Sequence, residues 1–168
     1  MANASLSEQI AKHFHDVIFG GNWTSANYKT VLQDVNREQA LRSIHSLNSI
    51  ATLTAHATYY IGVLQKVLLE NKLEGKDKLS FVLPPLPNEE AWQAYLEKIW
   101  KDAETLCTLI EKIPEDTWFH HFTDARYGNY YRNVQGMVEH LHYHLGQINL
   151  IKKLIRQQEN PTALPPTT

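Results

Sequence analysis

The sequence predicts an all-α protein, a four-helix bundle with one long crossover between its second and third long helices. Three observations carry that expectation. Long stretches repeat apolar residues at helical spacing. Serine or asparagine stands where those stretches begin, as helix caps require. No region reads as strand-rich, and there is no internal repeat.

Residues 5–18 read as the first helix, with Ile10, Phe14, Val17 and Ile18 on its apolar face and Gly20-Gly21 to stop it. His13 and His15 fall here, at positions expected to be surface or otherwise satisfied. The loop Asn22-Trp23-Thr24-Ser25 leads into a short helical turn at Tyr28–Leu32. Trp23 reads first as a packing anchor and second as the lid or wall of a pocket. Residues 36–43 form another turn, capped by Asn36, with Ala40 and Leu41 inward.

The second long helix spans residues 49–71 after Ser46-Leu-Asn48 as capping material, its stripe made by Ile50, Leu53, Ala57, Tyr60, Ile61, Leu64, Val67 and Leu68. Residues 73–87 are the crossover, charged at first and then proline-rich, which excludes a continuing helix and predicts an extended chain. Asn88 caps a third helix at residues 89–112, with Trp92, Leu96, Ile99, Trp100, Ala103, Leu106, Cys107 and Ile110 inward. After it comes a polar, aromatic stretch holding His120-His121, whose neighbouring rings cannot readily aim at one point. Gly128-Asn129 is a turn signal, joining a short hairpin or an extended approach to the last helix. That helix is expected over residues 134–155, capped by Asn133, with basic residues near its end. One domain of residues 1–160 and a flexible tail of residues 161–168 complete the plan.

Composition narrows the function. Hydrophobic residues make up 43% and charged residues 20%, the ordinary range for a globular chain. A net charge of −2 with scattered basic residues speaks against a nucleic-acid partner. Cys107 is the single cysteine and sits in an apolar pattern, so it reads as a core thiol. The start MANASLSEQIAKHF lacks a basic region and a long apolar run, and no later segment suits a membrane span. A cytoplasmic protein is the expectation.

The chemistry concentrates in the last helix. His140 and His144 stand one turn apart, the simplest way for a helix to present two imidazoles to one metal ion. Relative to the apolar stripe they lie roughly 90° and 50° off its centre, on the border of the buried seam. His142 points roughly 160° away from their shared face. In the second helix His56 lies roughly 70° off its own stripe, again at a border. Alone it reads as a hydrogen-bonded core histidine; beside a helix that lacks a third ligand it becomes a candidate for that role.

Three segments resemble a known family. They are His140-Leu-His-Tyr-His144-Leu-Gly-Gln147-Ile, Ser49-Ile-Ala-Thr-Leu-Thr-Ala-His56-Ala-Thr-Tyr-Tyr60, and the Asn22-Trp23 loop followed by Leu-Gln-Asp-Val-Asn-Arg-Glu-Gln-Ala40. In order and spacing these resemble the DinB-like (YfiT-like) superfamily of bacterial proteins, distinct from the polymerase that shares the name. The resemblance covers nearly the whole chain. It implies a four-helix bundle in which His56, His140 and His144 hold a divalent metal, and it implies a homodimer. One position departs from the family pattern: Leu145 stands where a basic residue is common. Tyr60 stands where an aromatic or acidic residue is usual, and a tyrosine there in place of an acid removes a possible base.

Three neutral imidazoles leave coordination positions open, as catalytic rather than closed structural sites do. Zinc, nickel and iron all accept imidazole. The resemblance implies a metal-activated thiol or water nucleophile attacking a small molecule, as in a thiol-dependent S-transferase or a hydrolase. A low-molecular-weight thiol is then a cosubstrate, and Gln147 and Tyr60 are candidates to support the metal or touch substrate. Transfer is favoured over hydrolysis because no general-base carboxylate or nucleophilic serine accompanies the triad; Glu139 points roughly 100° away from His140. The competing class is a non-enzymatic bundle whose metal is structural, or whose pocket binds a small ligand or a partner.

Overall fold

A computed structural model describes residues 4–160. The tail predicted at residues 161–168 lies outside the described residues, as do the first three. All the regular structure among the described residues is helical, so the all-α expectation holds there. Among them seven α-helices follow in order: α1 Leu6–Phe19, α2 Tyr28–Leu32, α3 Arg37–Leu41, α4 Ile50–Glu70, α5 Asp77–Ser80, α6 Glu89–Glu111 and α7 Tyr130–Glu159. Two 3-10 turns, Glu115–Phe119 and Ala125–Tyr127, fill the connection before α7.

Local chemistry sets the helix starts. Ser5 Oγ accepts from the Glu8 N–H while Glu8 returns a bond to the Ser5 N–H, a reciprocal box that begins α1. Ser49, rather than the expected Ser46-Leu-Asn48 stretch, caps α4 by accepting from the Thr52 N–H, and Asn88 caps α6 through its side-chain oxygen. At its far end α4 closes on Asn71 in the left-handed conformation (φ 55°), which asparagine tolerates better than most residues.

The four long helices each pack against two others: α1 on α6 and α7, and α4 on α6 and α7. Their inward stripes merge into one apolar core holding Phe14, Ile61, Trp92, Leu106, Leu141 and Ile148. Side-chain donors fasten the short elements to it. Trp92 Nε1 donates to the Val35 carbonyl (2.8 Å), which seats the α2–α3 connection on α6. The buried Tyr28 hydroxyl donates to the Leu141 carbonyl (2.9 Å), pinning α2 to α7 one residue beyond His140. No helix among the described residues is long and apolar enough to cross a membrane.

Three further expectations are corrected. The last helix begins at Tyr130, and its cap is Asn129, whose Oδ1 accepts from the Arg132 N–H (2.9 Å). Asn133 lies inside the first turn, its amide donating to the carbonyls of Tyr127 and Asn129. The helix starts early because the Gly128 turn (φ 82°) and a single antiparallel bridge, His121 to Asn129, aim the chain into it. Second, the crossover is not extended throughout: α5 forms in its charged part, before Pro84, Pro85 and Pro87 hold the rest open. Third, Trp23 is fully exposed, so it neither anchors the packing nor roofs a pocket. The loop closes without it, because the Asn22 side-chain amide donates to the carbonyls of Asp16 and Ala26 and leaves Trp23 outside.

Candidate metal centre

α4 carries His56 and α7 carries His140 and His144, and the packing of these two helices brings the three together. Their ring centroids lie 4.5–4.9 Å apart. One nitrogen from each lies within 4.8 Å of the others, a cluster that could hold a metal ion. His56 and His144 are buried, and His140 is half-buried.

The hydrogen bonds decide which nitrogens face inward. The Ser80 hydroxyl has one proton and gives it to the Asp77 carbonyl (2.6 Å). It must therefore accept the Nδ1–H of His56 (2.7 Å), leaving His56 Nε2 bare. His144 is set likewise, its Nδ1–H donating to Gln147 Oε1 (2.7 Å). His140 Nε2 lies 3.1 Å from the bare His56 Nε2 and donates its proton there, a proton an ion bound between the two nitrogens would displace. That separation fits an ion: two nitrogens each 2.0–2.1 Å from a metal stand roughly 2.9–3.4 Å apart. The wider edge of the cluster needs the rings to close by about an ångström.

The surroundings keep the imidazoles neutral. Burial lowers the pKa of His56, and the neighbouring His144 adds to it. His140 is pushed down to about 4, again by burial first and then by His144 and His56. Burial lowers His144 too. Neutral rings offer the lone pairs a metal needs. Phe81 stacks flat on His56 (centroids 4.0 Å, 15° between planes) and shields that face.

Tyr60 presents its ring edge-on to His140 (5.4 Å) and donates its hydroxyl to Asp77 Oδ1 (2.9 Å). Burial and that carboxylate push its phenol up to about 12, so it stays protonated. Asp77 is the acidic group beside this cluster, and sequence reasoning missed it. So did it miss Ser80 and Phe81. All three come from the crossover, whose fold-back onto α4 no periodicity in α4 or α7 records. The sequence signal was faint: Asp77 and Ser80 stand three apart, a helical turn's spacing, in a stretch read as open chain.

The other singled-out residues lie elsewhere. His142 donates Nδ1–H to the Val138 carbonyl (3.1 Å), and its ring is 5.9 Å from that of His13, away from the cluster. His120 and His121 are exposed, as is His15, which lies against Phe19. Glu139 is exposed. Cys107 is buried, and burial pushes its thiol up to about 12, so it is unreactive.

A cavity of about 680 Å³ adjoins the cluster, with His56, His140, Tyr60 and Asp77 in its lining. A second, of about 690 Å³, has Ser80, Val82 and Tyr95 in its lining and no histidine. No family model, curated protein or solved structure matches the chain.

Ser80→Ala removes the acceptor that holds His56 in its Nδ1–H form. We expect metal affinity to fall by about 10–100-fold, the usual effect of losing a ligand's outer partner. Competition with a chromophoric chelator measures it. An unchanged affinity would mean that Ser80 does not orient His56.

Proposed function

We propose that the chain is a divalent-metal-dependent enzyme of the DinB-like four-helix-bundle type, with His56, His140 and His144 as metal ligands. The observation that carries this reading is the pairing of a convergent, neutral three-histidine cluster with an adjoining cavity. Among the described residues the cluster gathers three ligands and no fourth, which supports a site left open for chemistry over a closed structural one. A bound zinc, nickel or iron ion supplies Lewis acidity, making a thiol or water nucleophilic near neutral pH.

The chain's own residues divide the remaining work. Ser80 and Gln147 hold two imidazoles in the form that points Nε2 inward. Phe81 excludes water from one face of His56. Asp77, hydrogen-bonded to Tyr60, is placed to take a proton from a nucleophile or pass one to a leaving group within the cavity. Its presence removes the argument for transfer over hydrolysis that rested on a missing carboxylate. The reaction is therefore attack by a low-molecular-weight thiol or by water on a small electrophile.

Elemental analysis of untagged protein purified without chelator tests the reading. About one equivalent of zinc, nickel or iron per chain is expected. Loss of an electrophile from solution should then depend on both the metal and a thiol or water. No metal after reconstitution would remove the proposal. The DinB-like reading also carries a homodimer, and a monomer mass by light scattering across micromolar concentrations would count against it.

A further inference from the structure

The cavity beside the histidines also reaches two arginines, Arg126 and Arg132. Their charges are not equivalent. Arg126 is held by its neighbour Asp124 through Nε and Nη2 at 2.6–3.1 Å. Arg132 makes no ion pair among the described residues. Its stem rests on the Gly128 turn, where a Cβ would stand 2.9 Å from Arg132 Cδ. Glycine at 128 thus serves the position of Arg132 as well as the turn.

Arg132, Gly136 and His140 follow one another at four-residue steps along one face of α7. From arginine to histidine the helix rises roughly 12 Å, the length of a small organic molecule. Gly136 lies between them and lines the same cavity. Nothing in the fold requires a glycine there: the residue is inside a helix, which glycine weakens, and an added Cβ would meet nothing within 4 Å. Its effect is to keep the cavity floor low. Val63, Leu64 and Met137 give the cavity apolar walls.

We propose that this cavity binds a small organic anion lengthwise along α7, its carboxylate or phosphate on Arg132, its carbon body over Gly136 and its reacting end at His56 and His140. The reacting end rests on the metal reading above; the anionic end does not. A guanidinium without a carboxylate partner is the donor best matched to such a head group, which it takes in two parallel bonds. Asp77 sets the direction. Its carboxylate stands at the histidine end, hydrogen-bonded to Tyr60, and turns a second negative charge away from there.

Hexanoate, hexyl phosphate and uncharged hexanol, titrated into isotope-labelled metal-free protein, test the anionic end. The Gly136 amide and the Arg132 Nε–H resonances report binding. We expect one or both anions to shift these signals and to bind about ten-fold or more tighter than hexanol, as a charge-assisted contact implies. Hexyl phosphate against hexanoate tells which head group is preferred. In Arg132→Gln the preference for anions disappears, and in Gly136→Leu, a better helix former, all three are excluded. Equal binding of hexanol, an anion preference surviving in Arg132→Gln, or no shift at millimolar ligand would each overturn the proposal.

Mercaptohexanoate and mercaptohexanol on zinc-treated protein separate the two readings. An Arg132-dependent preference without zinc retention upholds the anion site and removes the metal enzyme. Zinc retention without the preference does the reverse.

Discussion

His56→Ala, His140→Ala and His144→Ala should each lose the metal expected in the wild-type protein, while His142→Ala should keep it. Each triad substitution deletes one of three ligands, and losing an outer partner alone already costs about 10–100-fold in affinity. A loss of more than about 100-fold is expected, enough to empty the site during purification. His142 is the matched control: it is a histidine of the same helix whose bond goes to the Val138 carbonyl and whose ring neighbours His13. Metal content of the four variants decides it. Loss confined to His142→Ala would overturn the assignment.

Acid should empty the site late. In the metal-free fold all three imidazoles titrate below the ordinary value, His140 at about 4. Protons therefore compete with metal only between roughly pH 6.5, the unperturbed histidine value, and that lower limit. The sign for folding is the same. Below the unfolded value the unfolded chain takes up protons that the folded triad refuses, so the stability present at neutral pH is lost as pH falls. Metal release beginning above neutrality would contradict the buried, neutral cluster.

The second large effect lies away from the site. Trp118 is fully buried, and its Nε1 donates to Ser7 Oγ (2.8 Å), which in turn donates to the Ile113 carbonyl (2.6 Å). This chain of bonds fastens the 3-10 turn after α6 to the start of α1. Trp118→Ala should destabilise the fold by about 3–5 kcal/mol, from lost burial and the cavity left behind. For a chain of this size each kcal/mol lowers the melting midpoint by about 2–4 °C. Trp118→Phe keeps much of the volume and removes the donor, so a cost nearer about 1 kcal/mol is expected. Urea unfolding of both variants measures this. Equal, small losses would show that the indole is not packed as described.

Where the chain marks its own boundaries, the elements were legible. α4 and α6 begin and end within a residue of expectation, because their stripes run unbroken and Asn88 caps α6, although α4's cap is Ser49 and not the stretch before it. α7 was read four residues short at each end. Its opening residues, Tyr130 to Asn133, are aromatic and polar, and their fit depends on Phe122, against whose ring Tyr130 packs (5.2 Å). The three histidines could be singled out because two share one helix face and the third lies at the border of another. Of their surroundings, Gln147 on His144 and Tyr60 beside His140 could also be named, but the crossover residues could not. Ser80, Asp77 and Phe81 reach His56 and Tyr60 only through the path of the crossover, and that path is set by packing on α4. Trp23 failed for a related reason: its loop closes through Asn22 bonds to backbone, so no side chain has to turn inward.

The crossover's part in the centre has an evolutionary consequence. The three histidines sit on two long helices whose registers are locked by the core, so their positions change little without loss of the fold. Asp77, Ser80 and Phe81 sit instead on a mostly exposed connector, the kind of segment that accepts substitution and insertion most readily. The carboxylate on Tyr60, the hydroxyl on His56 and the ring stacked on it can therefore be exchanged together as a cassette. One scaffold with one set of imidazoles could diversify into different reactions by rewriting that short stretch alone.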